Sequence, residues 1–295
     1  MPKDTYRHAI YLDKDVKLKP DCHTIIMRRN PSPIPWYGGK STHLKWLLPL
    51  LPECKHYVEP YSGSAVVLLN RDPSPIETIN DINGEVVNFF RILRDRPEEL
   101  IGAIQLTPFS REEFALARFA DDHPDDLERA RRFCVLCQQS YGAVGLQATI
   151  CHWSTSITYS QRHIAQNVAK ILSKNEALDY TARRLLNVQI ENRPAIEIIK
   201  KYDTHDTLFY CDPPYIHATR YMRHHYVDEM GDAEHIELAD LLNRVKGKVA
   251  LSGYENELYD DLYPAPKWRK YMAEERVTAA ANNRSKRREI LWMNY

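Results

Sequence analysis

The chain of 295 residues is poor in several features that define special classes of protein. Its 10 glycines nowhere form the GxGxxG spacing of a dinucleotide-binding turn. Its six cysteines lack the density of a disulfide scaffold. No apolar run is long enough to cross a bilayer, and the first residues contain no signal-peptide core. These absences argue against a secreted or membrane-spanning protein and predict a cytoplasmic one.

The chain also lacks a net charge, because 40 basic residues balance 40 acidic residues. Such a protein is not drawn as a whole towards polyanions, so any contact with nucleic acid must come from a local basic cluster. The basic clusters lie at Arg131 and Arg132, at Arg183 and Arg184, and in a tail that contains Arg284, Lys286, Arg287 and Arg288. Runs of like charge are more often solvated faces than binding sites.

A metal site is not predicted. Cys134, Cys137, Cys151 and His152 could in principle ligate zinc, but adjacent Cys151 and His152 are poorly spaced for one tetrahedral ion. Cys134 and Cys137 lie among apolar neighbours on a predicted helix, where cysteine packs as a small hydrophobic residue. Zinc at these residues remains the less favoured alternative.

The order of elements predicts an α/β protein with a parallel sheet covered by helices. Residues 1–30 form an N-terminal extension, and strands and helices then alternate over 31–104 and again over 186–295. A short helix capped by Ser41 follows the extension. A later amphipathic helix, at 233–246, should turn Ile236, Leu238, Leu241 and Leu242 inward. Residues 105–185 are polar and helix-rich, and we expect them to form an inserted second domain.

The segment DPPY (212–215) follows the apolar run LFYC, at the end of a predicted strand where ligands of parallel sheets bind. The exocyclic nitrogen of adenine is a poor nucleophile because its lone pair is conjugated into the ring. The carboxylate of Asp212 and the carbonyl of Pro213 could accept hydrogen bonds from both of its N–H groups and return density to the nitrogen. Tyr215 offers a face for stacking an extruded base. Taken alone, the segment is equally consistent with a proline turn that carries an incidental acid.

The segment EPYSGSA (59–65) opens a helix after a strand, and Asp81 ends the next strand. Small residues let the backbone approach a ligand, and an acid at the position of Asp81 can grip ribose hydroxyls. Glu59, just before the turn, would repel a diphosphate. The pattern therefore favours a cofactor without phosphates that carries positive charge, and S-adenosylmethionine meets both conditions.

The segment PWYGGK (35–40) supplies a third candidate cofactor contact. Its glycines allow close approach, Lys40 can meet a carboxylate, and Trp36 can cover an adenosine or a sulfonium. Glycine turns followed by lysine are common, so this segment is a weak signal by itself.

Together and in this order, the segments resemble the Dam-type family of N6-adenine DNA methyltransferases. The resemblance is carried by PWYGGK, YVEPYSGSAVVLLN, INDINGEVVNFF, LFYCDPPY, the loop YIHATRYMRHHYVDEM, VALSGYENELYDDLY and REILWMN, and it spans about residue 31 to the C-terminus. It implies a Rossmann-like, seven-stranded, mostly parallel methyltransferase sheet with helices on both faces. It also implies that the insertion at 105–185 reads the target sequence.

The resemblance and the residue chemistry together give a set of expected site residues. Catalysis is expected at Asp212, Pro213, Pro214 and Tyr215. Binding of S-adenosyl-L-methionine is expected at Trp36, Gly38, Gly39, Lys40, Glu59, Tyr61, Ser62, Gly63, Ser64, Asp81, Ile82 and Asp212. Contact with double-stranded DNA is expected at Arg131, Arg132, Tyr141, Arg183, Arg184, Arg220 and Arg223.

The sequence departs from the family pattern at two places. Ala65 occupies the position of a second glycine in the cofactor turn, and SYGAVGLQATICHW replaces the hairpin of GATC-reading members, so GATC is not predicted as the target. The alternatives are a cytosine-N4 methyltransferase, which more often carries serine where this chain has Asp212, and an idle DNA-recognition subunit. A monomer is expected, with a dimer as the alternative, and a cognate restriction enzyme is left open.

Overall fold

The computed structural model describes residues 32–120, 124–143, 177–216, 230–273 and 286–295, together with 145, 152–155, 160–161, 164–165, 168, 171, 175 and 276–277. The predicted extension at 1–30, Arg220, Arg223, Cys151 and Arg284 lie outside the described residues, as do the side chains of Lys286 and Arg287.

Seven strands form one sheet, as predicted. They are β1 (His56–Glu59), β2 (Ile76–Asn80), β3 (Val188–Glu191), β4 (Thr207–Cys211), β5 (Lys248–Tyr254), β6 (Arg269–Met272) and β7 (Glu289–Met293). Their order across the sheet is β3-β2-β1-β4-β5-β7-β6, and β7 runs antiparallel to both of its neighbours. Strand β6 was not among the strands read from the residues. All four of its residues are exposed, so it carries no burial alternation that a sequence pattern could show.

The helices of the described residues lie on both faces of this sheet. They are α1 (Leu44–Leu47), α2 (Val66–Asn70), α3 (Gly84–Asp95), α4 (Pro97–Leu106), α5 (Arg111–Phe119), α6 (Asp126–Gln139), α7 (Leu178–Leu185), α8 (Ala195–Tyr202), α9 (Asp232–Leu242) and α10 (Glu257–Leu262). None of them is both long and apolar enough to span a membrane.

Alternate residues of the strands enter two core layers, one on each face of the sheet. On β4, Leu208 and Tyr210 pack into the layer that contains α3 and α6, whereas Phe209 and Cys211 pack into the layer that contains α8 and α9. Successive side chains of a strand point to opposite faces, so a strand covered on both sides is apolar throughout. This is why LFYC reads as a continuous apolar run.

Two local expectations were wrong. The helix predicted from Ser41 is broken into a 3₁₀ turn at Lys40–Thr42, the single turn of α1 and a second 3₁₀ turn at Leu48–Leu50, and no side chain caps it. In α9, Ile236 is exposed and His235 is fully buried beside Leu238 and Leu242. The face that α9 buries follows i, i+3 and i+7 from His235, and Ile236 falls outside that stripe.

The range 105–185 contributes to the core of the sheet. Phe133 of α6 and Leu178 of α7 belong to the same buried layer as Phe89 of α3. Helix α7 is also tied to β2, because Arg184 forms a buried ion pair with Glu77. Two helices of the predicted insertion therefore pack on the main body, and the proposed division of the chain into domains stays a prediction.

Candidate active site

A cavity of about 780 Å³ lies at the carboxyl ends of the strands. It opens where the strand order reverses between β1 and β4, which is the usual ligand position in an open parallel sheet. The turns that follow β1, β2, β3 and β4 line it, and all the residues predicted for cofactor binding and catalysis are among its walls. The structure thus brings these residues together, while the role of each one stays a prediction.

The turn after β1 is held in a conformation that favours glycine. Gly63 has φ of 48°, and a Cβ atom there would lie 2.4 Å from Nε1 of Trp36. Ala65 has φ of 50°, the left-handed region that L residues rarely adopt. The position of Ala65 is the one at which the family carries glycine, and the backbone explains that preference.

Asp81 joins the turn after β1 to the turn after β2. Its Oδ2 accepts a hydrogen bond from the N–H of Gly63 at 2.9 Å, and its Oδ1 accepts one from the N–H of Asn83 at 3.0 Å. The carboxylate is half-buried and faces the cavity. It therefore shapes the turn as well as being available to a ligand.

Asn80, at the end of β2, connects the turns that follow β1, β2 and β3. Its amide donates to the carbonyls of Pro60 and Arg193, each at 2.9 Å, and its Oδ1 accepts from the N–H of Arg193 at 2.9 Å. The N–H of Ser62 also donates to the carbonyl of Asn80. Asn80 is buried, so its polar groups are satisfied within the protein.

Glu59 ends β1 as a buried carboxyl. Burial raises its pKa to about 8, although the hydroxyl of Tyr57 donates to its Oε1 at 2.8 Å and opposes that shift. A buried carboxyl of this kind can take on charge when a cation binds beside it.

Lys40 pairs with protein carboxylates inside the cavity. Its Nζ lies 2.7 Å from each carboxylate oxygen of Asp212 and 3.3 Å from Oε1 of Glu289. It also donates to the carbonyl of Gly38 at 3.1 Å. Burial lowers the pKa of Lys40, but the two carboxylates outweigh it and hold the pKa above its ordinary value. These contacts place Lys40 on Asp212, and its contact with a cofactor carboxylate stays a prediction.

The ring of Tyr215 is fixed from three sides. Its hydroxyl donates to Oε1 of Glu289, its ring packs edge-on against Tyr254 at 4.6 Å between centroids, and Nζ of Lys40 lies 5.0 Å from its centroid. Asp212 stands beside this cluster, and burial raises the pKa of its carboxyl while Lys40 opposes the rise. The arrangement presents a carboxylate and an aromatic ring on one wall of the cavity.

Sequence reasoning missed several lining or supporting residues. Tyr254 and the turn after β3 line the cavity, and Glu289 supports it from β7. The turn after β3 contributes Pro194, Ala195, Ile196 and Glu197, and the start of α9 contributes Glu234 and Glu237. The sequence did contain one signal for Glu289. An acid at the start of the apolar strand EILWM is expected to be buried, and a buried acid needs a charged or hydrogen-bonding partner.

Three of the arginines predicted to contact DNA have partners within the protein. Arg131 pairs with Glu113 and Glu128, and Arg132 also pairs with Glu128. Arg184 is buried against Glu77. These pairs give the three residues a structural role, and their contact with DNA stays a prediction.

Arg183 and Tyr141 are placed differently, because both are exposed, Tyr141 at 73%. Tyr141 is anchored by its backbone, whose N–H donates to the carbonyl of His152 at 2.7 Å. Of the predicted tail cluster, Arg288 is described and exposed.

The cysteines weighed as zinc ligands are part of the core. Cys134 and Cys137 are each 1% exposed and belong to the apolar layer beside α3. Burial raises the pKa of the Cys134 thiol to about 12, whereas a metal ligand must be a thiolate.

Comparisons with known proteins show which proteins this chain is similar to. The family model for the D12 class of N6 adenine-specific DNA methyltransferases matches residues 36–279. The Type II methyltransferase M1.LlaDCHI of Lactococcus lactis subsp. cremoris is 26% identical, over 88% of this chain and 94% of that protein. The DNA adenine methylase of Serratia marcescens is 24% identical, over 90% and 98%. The DNA adenine methylase of Vibrio cholerae serotype O1 is 23% identical, over 64% and 66%.

The matched range contains every residue that lines the cavity, from Trp36 to Tyr254. It also covers well over half of the chain. The chain therefore belongs to the D12 class of N6 adenine-specific DNA methyltransferases.

Proposed function

We propose that the cavity binds S-adenosyl-L-methionine and that methyl transfer to adenine N6 takes place at Asp212. The family gives the reaction, and the geometry around Asp212 supports this placement. The observation that carries the proposal is a half-buried carboxylate, held by Lys40 beside an aromatic ring, on the wall of a cavity large enough for the cofactor.

The charges of the cavity suit a cationic ligand without phosphates. Lys40 supplies one positive charge against the carboxylates of Asp212 and Glu289, and Glu59 adds a further ionisable carboxyl. A diphosphate would be repelled by the carboxylates of Asp212 and Glu289, whereas a sulfonium and an ammonium group would be attracted. When bound, the cofactor supplies an electrophilic methyl group. Asp81 is the candidate acceptor for its ribose hydroxyls, and Trp36 and Ile82 are candidate apolar walls.

The chemical step follows from the acceptors near the target amine. Asp212 and the carbonyl of Pro213 would accept hydrogen bonds from the two N–H groups of this amine, which would increase the electron density on its nitrogen. The bound cofactor would supply the electrophilic methyl group to this nitrogen, and Asp212 could accept the proton that the nitrogen then has to lose. Burial makes this carboxylate a better acceptor than one in water, and Lys40 fixes its orientation.

Tyr215 is proposed to stack on the flipped base. Adenine N6 is paired inside a duplex, so the target nucleotide must leave the stack before it can react. Stacking on an aromatic ring contributes about 1–3 kcal/mol per base. Because the ring of Tyr215 is already held by Glu289 and Tyr254, little ordering is left for the binding step.

Substituting Asp212 tests the placement of the reaction. Asp212→Asn should retain S-adenosylmethionine binding in calorimetry and lose methyl transfer to unmethylated bacterial DNA. Nucleoside mass spectrometry of the wild-type product should give N6-methyladenine without N4-methylcytosine. Asp206→Asn is a matched control, since Asp206 pairs with Lys55 near the amino end of β4. Turnover of D212N near the wild-type rate would remove Asp212 from the chemistry.

DNA is proposed to lie across the mouth of the cavity. Arg220 and Arg223 follow DPPY closely in sequence, and Arg183 and Tyr141 are exposed. Replacing both Arg220 and Arg223 should weaken binding to all sequences alike. The slope of the salt dependence should fall by about one for each phosphate that the protein no longer neutralises. If neither the affinity nor its salt dependence changed, this placement of DNA would be wrong.

The target sequence and a restriction partner are separate questions. We propose that the region 105–185 reads the target, and the relative named as a Type II methyltransferase is consistent with a restriction partner. Sequencing DNA from cells that express the protein, with a readout of modified bases, would identify the target.

A further inference from the structure

We propose that Glu289 is a positioning residue of the catalytic centre, which holds Lys40 and Tyr215 in register with Asp212. This inference rests on the proposed role of Asp212. Glu289 lies beyond the range 36–279 matched by the family model and outside the cavity lining. It was not among the residues that the sequence selected for the site.

The contacts of Glu289 connect both functional walls. Its Oε1 accepts a hydrogen bond from the hydroxyl of Tyr215 and lies 3.3 Å from Nζ of Lys40. Lys40 in turn holds both oxygens of Asp212 at 2.7 Å. A single carboxylate therefore fixes the ring expected to stack on the base and the cation that orients the proposed acceptor.

The position of Glu289 in the sheet makes this contact rigid. Glu289 begins β7, the antiparallel strand between β5 and β6, and its Cα partner on β5 is Tyr254. Tyr254 packs against the ring of Tyr215. Strand β7 thus supplies a backbone anchor for Glu289 and, through its neighbour on β5, a second support for Tyr215.

A buried carboxylate at this place costs free energy unless it is paired. Glu289 is 5% exposed, and its two partners satisfy it as an anion. A glutamine could still accept from the hydroxyl of Tyr215, but it could not balance the charge of Lys40. A glutamate at this position is therefore suited to pair with Lys40 as well as to accept a hydrogen bond from Tyr215.

Because Lys40 is shared between two carboxylates, Glu289 affects the pKa of Asp212 and its strength as a hydrogen-bond acceptor. Burial raises the pKa of Asp212 most, Lys40 lowers it, and Glu289 raises it further because it repels the anionic form of that carboxyl. Without the charge of Glu289, Lys40 would neutralise Asp212 more completely, and Asp212 would be a weaker hydrogen-bond acceptor. The titratable groups around this centre are Lys40 from the turn before α1, Tyr210 and Cys211 on β4, Tyr215 after β4, Tyr254 on β5 and Glu289 on β7.

The test compares Glu289→Gln and Glu289→Asp with a buried glutamate elsewhere. Glu77→Gln is the matched control, because Glu77 is 1% exposed, is paired with Arg71 and Arg184, and lies outside the cavity. Each variant is assayed by thermal unfolding, by calorimetry with S-adenosylmethionine, and by single-turnover methyl transfer to unmethylated bacterial DNA across a range of pH.

For E289Q we expect cofactor affinity close to wild type and a methyl-transfer rate lower by about ten-fold or more. The acid limb of its rate profile should move to lower pH, because the pKa of Asp212 falls when the neighbouring charge is removed. E289D keeps the charge and should restore the position of the acid limb and part of the rate. E77Q should lose stability and keep both the rate and the profile.

A double-mutant cycle separates positioning from general damage. If Glu289 acts through Tyr215, the effect of E289Q on the rate should be smaller in a Tyr215→Phe background than in the wild type. A wild-type rate and profile for E289Q would overturn the proposal, as would a rate loss accompanied by an unshifted profile. If E289Q does not fold, E289D must still show a reduced rate, and a wild-type rate for it would also overturn the proposal. Failure of the proposed function itself would appear as turnover by D212N, independently of any result at Glu289.

Discussion

Replacing Asp81 with alanine should weaken cofactor binding and also lower the stability of the fold. The carboxylate faces the cavity and accepts backbone hydrogen bonds from Gly63 and Asn83. Asp81→Ala removes the proposed grip on the ribose hydroxyls together with both of these anchors. Cofactor affinity and folding stability are therefore expected to fall together, by separable amounts.

The size of each loss follows from the number and burial of the hydrogen bonds. Charge-assisted hydrogen bonds are worth about 1.5–3 kcal/mol, which corresponds to a roughly ten- to hundred-fold rise in the Kd for S-adenosylmethionine. The orphaned N–H groups of Gly63 and Asn83 should cost about 1–3 kcal/mol of unfolding free energy if they stay dry. Asp81 is only half-buried, so water can replace some of the lost hydrogen bonds. The loss of stability is therefore expected at the lower end of that range.

A second aspartate provides a control with the same architecture at the other edge of the sheet. Oδ1 of Asp203 accepts from the N–H groups of Lys246 and Gly247 at 2.8 and 3.0 Å, and Asp203 is also half-buried. It precedes β4, whereas the cavity lies beyond the carboxyl ends of the strands. Asp203→Ala should therefore cost similar stability and leave the Kd for the cofactor unchanged.

The measurements are urea unfolding and calorimetric titration with S-adenosylmethionine for both variants. A folded D81A protein with the wild-type Kd would refute the placement of Asp81 in the cofactor site. Equal losses of affinity in D81A and D203A would also refute it, because they would trace the effect to general loosening of the fold.

Two further changes test the same cavity. Gly63→Ala places a methyl group 2.4 Å from Nε1 of Trp36 at φ of 48°, so we expect a loss of about 1–2 kcal/mol of stability from backbone strain and a weaker Kd for S-adenosylmethionine. Gly102→Ala in α4, where no atom would lie within 4 Å of the new methyl, should raise stability by about 0.5–1 kcal/mol and leave the Kd unchanged; a G63A protein that behaved like G102A would contradict the turn geometry. Glu59 has its pKa raised to about 8, so the folded state keeps a proton that the unfolded state has released between the ordinary glutamate pKa and pH 8. Wild-type stability should therefore fall as pH rises over that interval and the fall should be smaller in Glu59→Gln, as urea midpoints at pH 5 and pH 8 would measure; equal slopes would show that Glu59 is charged throughout.

Much of the site was predictable because each of its motifs is local. A strand, a turn and the start of a helix occupy consecutive residues, as at Glu59 to Gly63, and their pattern is visible without tertiary information. The carboxyl ends of parallel strands meet at one edge of the sheet. The sequence could therefore predict that Asp81 and Asp212 lie close together, and both are found in the walls of one cavity.

The pairings within that cavity were not predictable from local patterns. Lys40 and Asp212 are 172 positions apart in the sequence, and no local pattern around either residue indicates that they pair. Lys40 was expected to meet a cofactor carboxylate because an isolated lysine beside glycines permits that interpretation. The fold also places two protein carboxylates within 3.3 Å of its Nζ, which no local pattern could indicate.

The sequence by itself determined the α/β class, the order along the chain of every strand of the sheet except β6, and the segments that build the cavity. These follow from hydrophobic periodicity and turn chemistry, both of which act between near neighbours. Only the tertiary structure decided that Arg184 pairs with Glu77, that His235 replaces Ile236 in the core, and that Glu289 reaches the catalytic wall. The physical reason is the same in each case: a charged or polar side chain acquires its role from whatever the fold packs against it, and those partners come from distant parts of the chain.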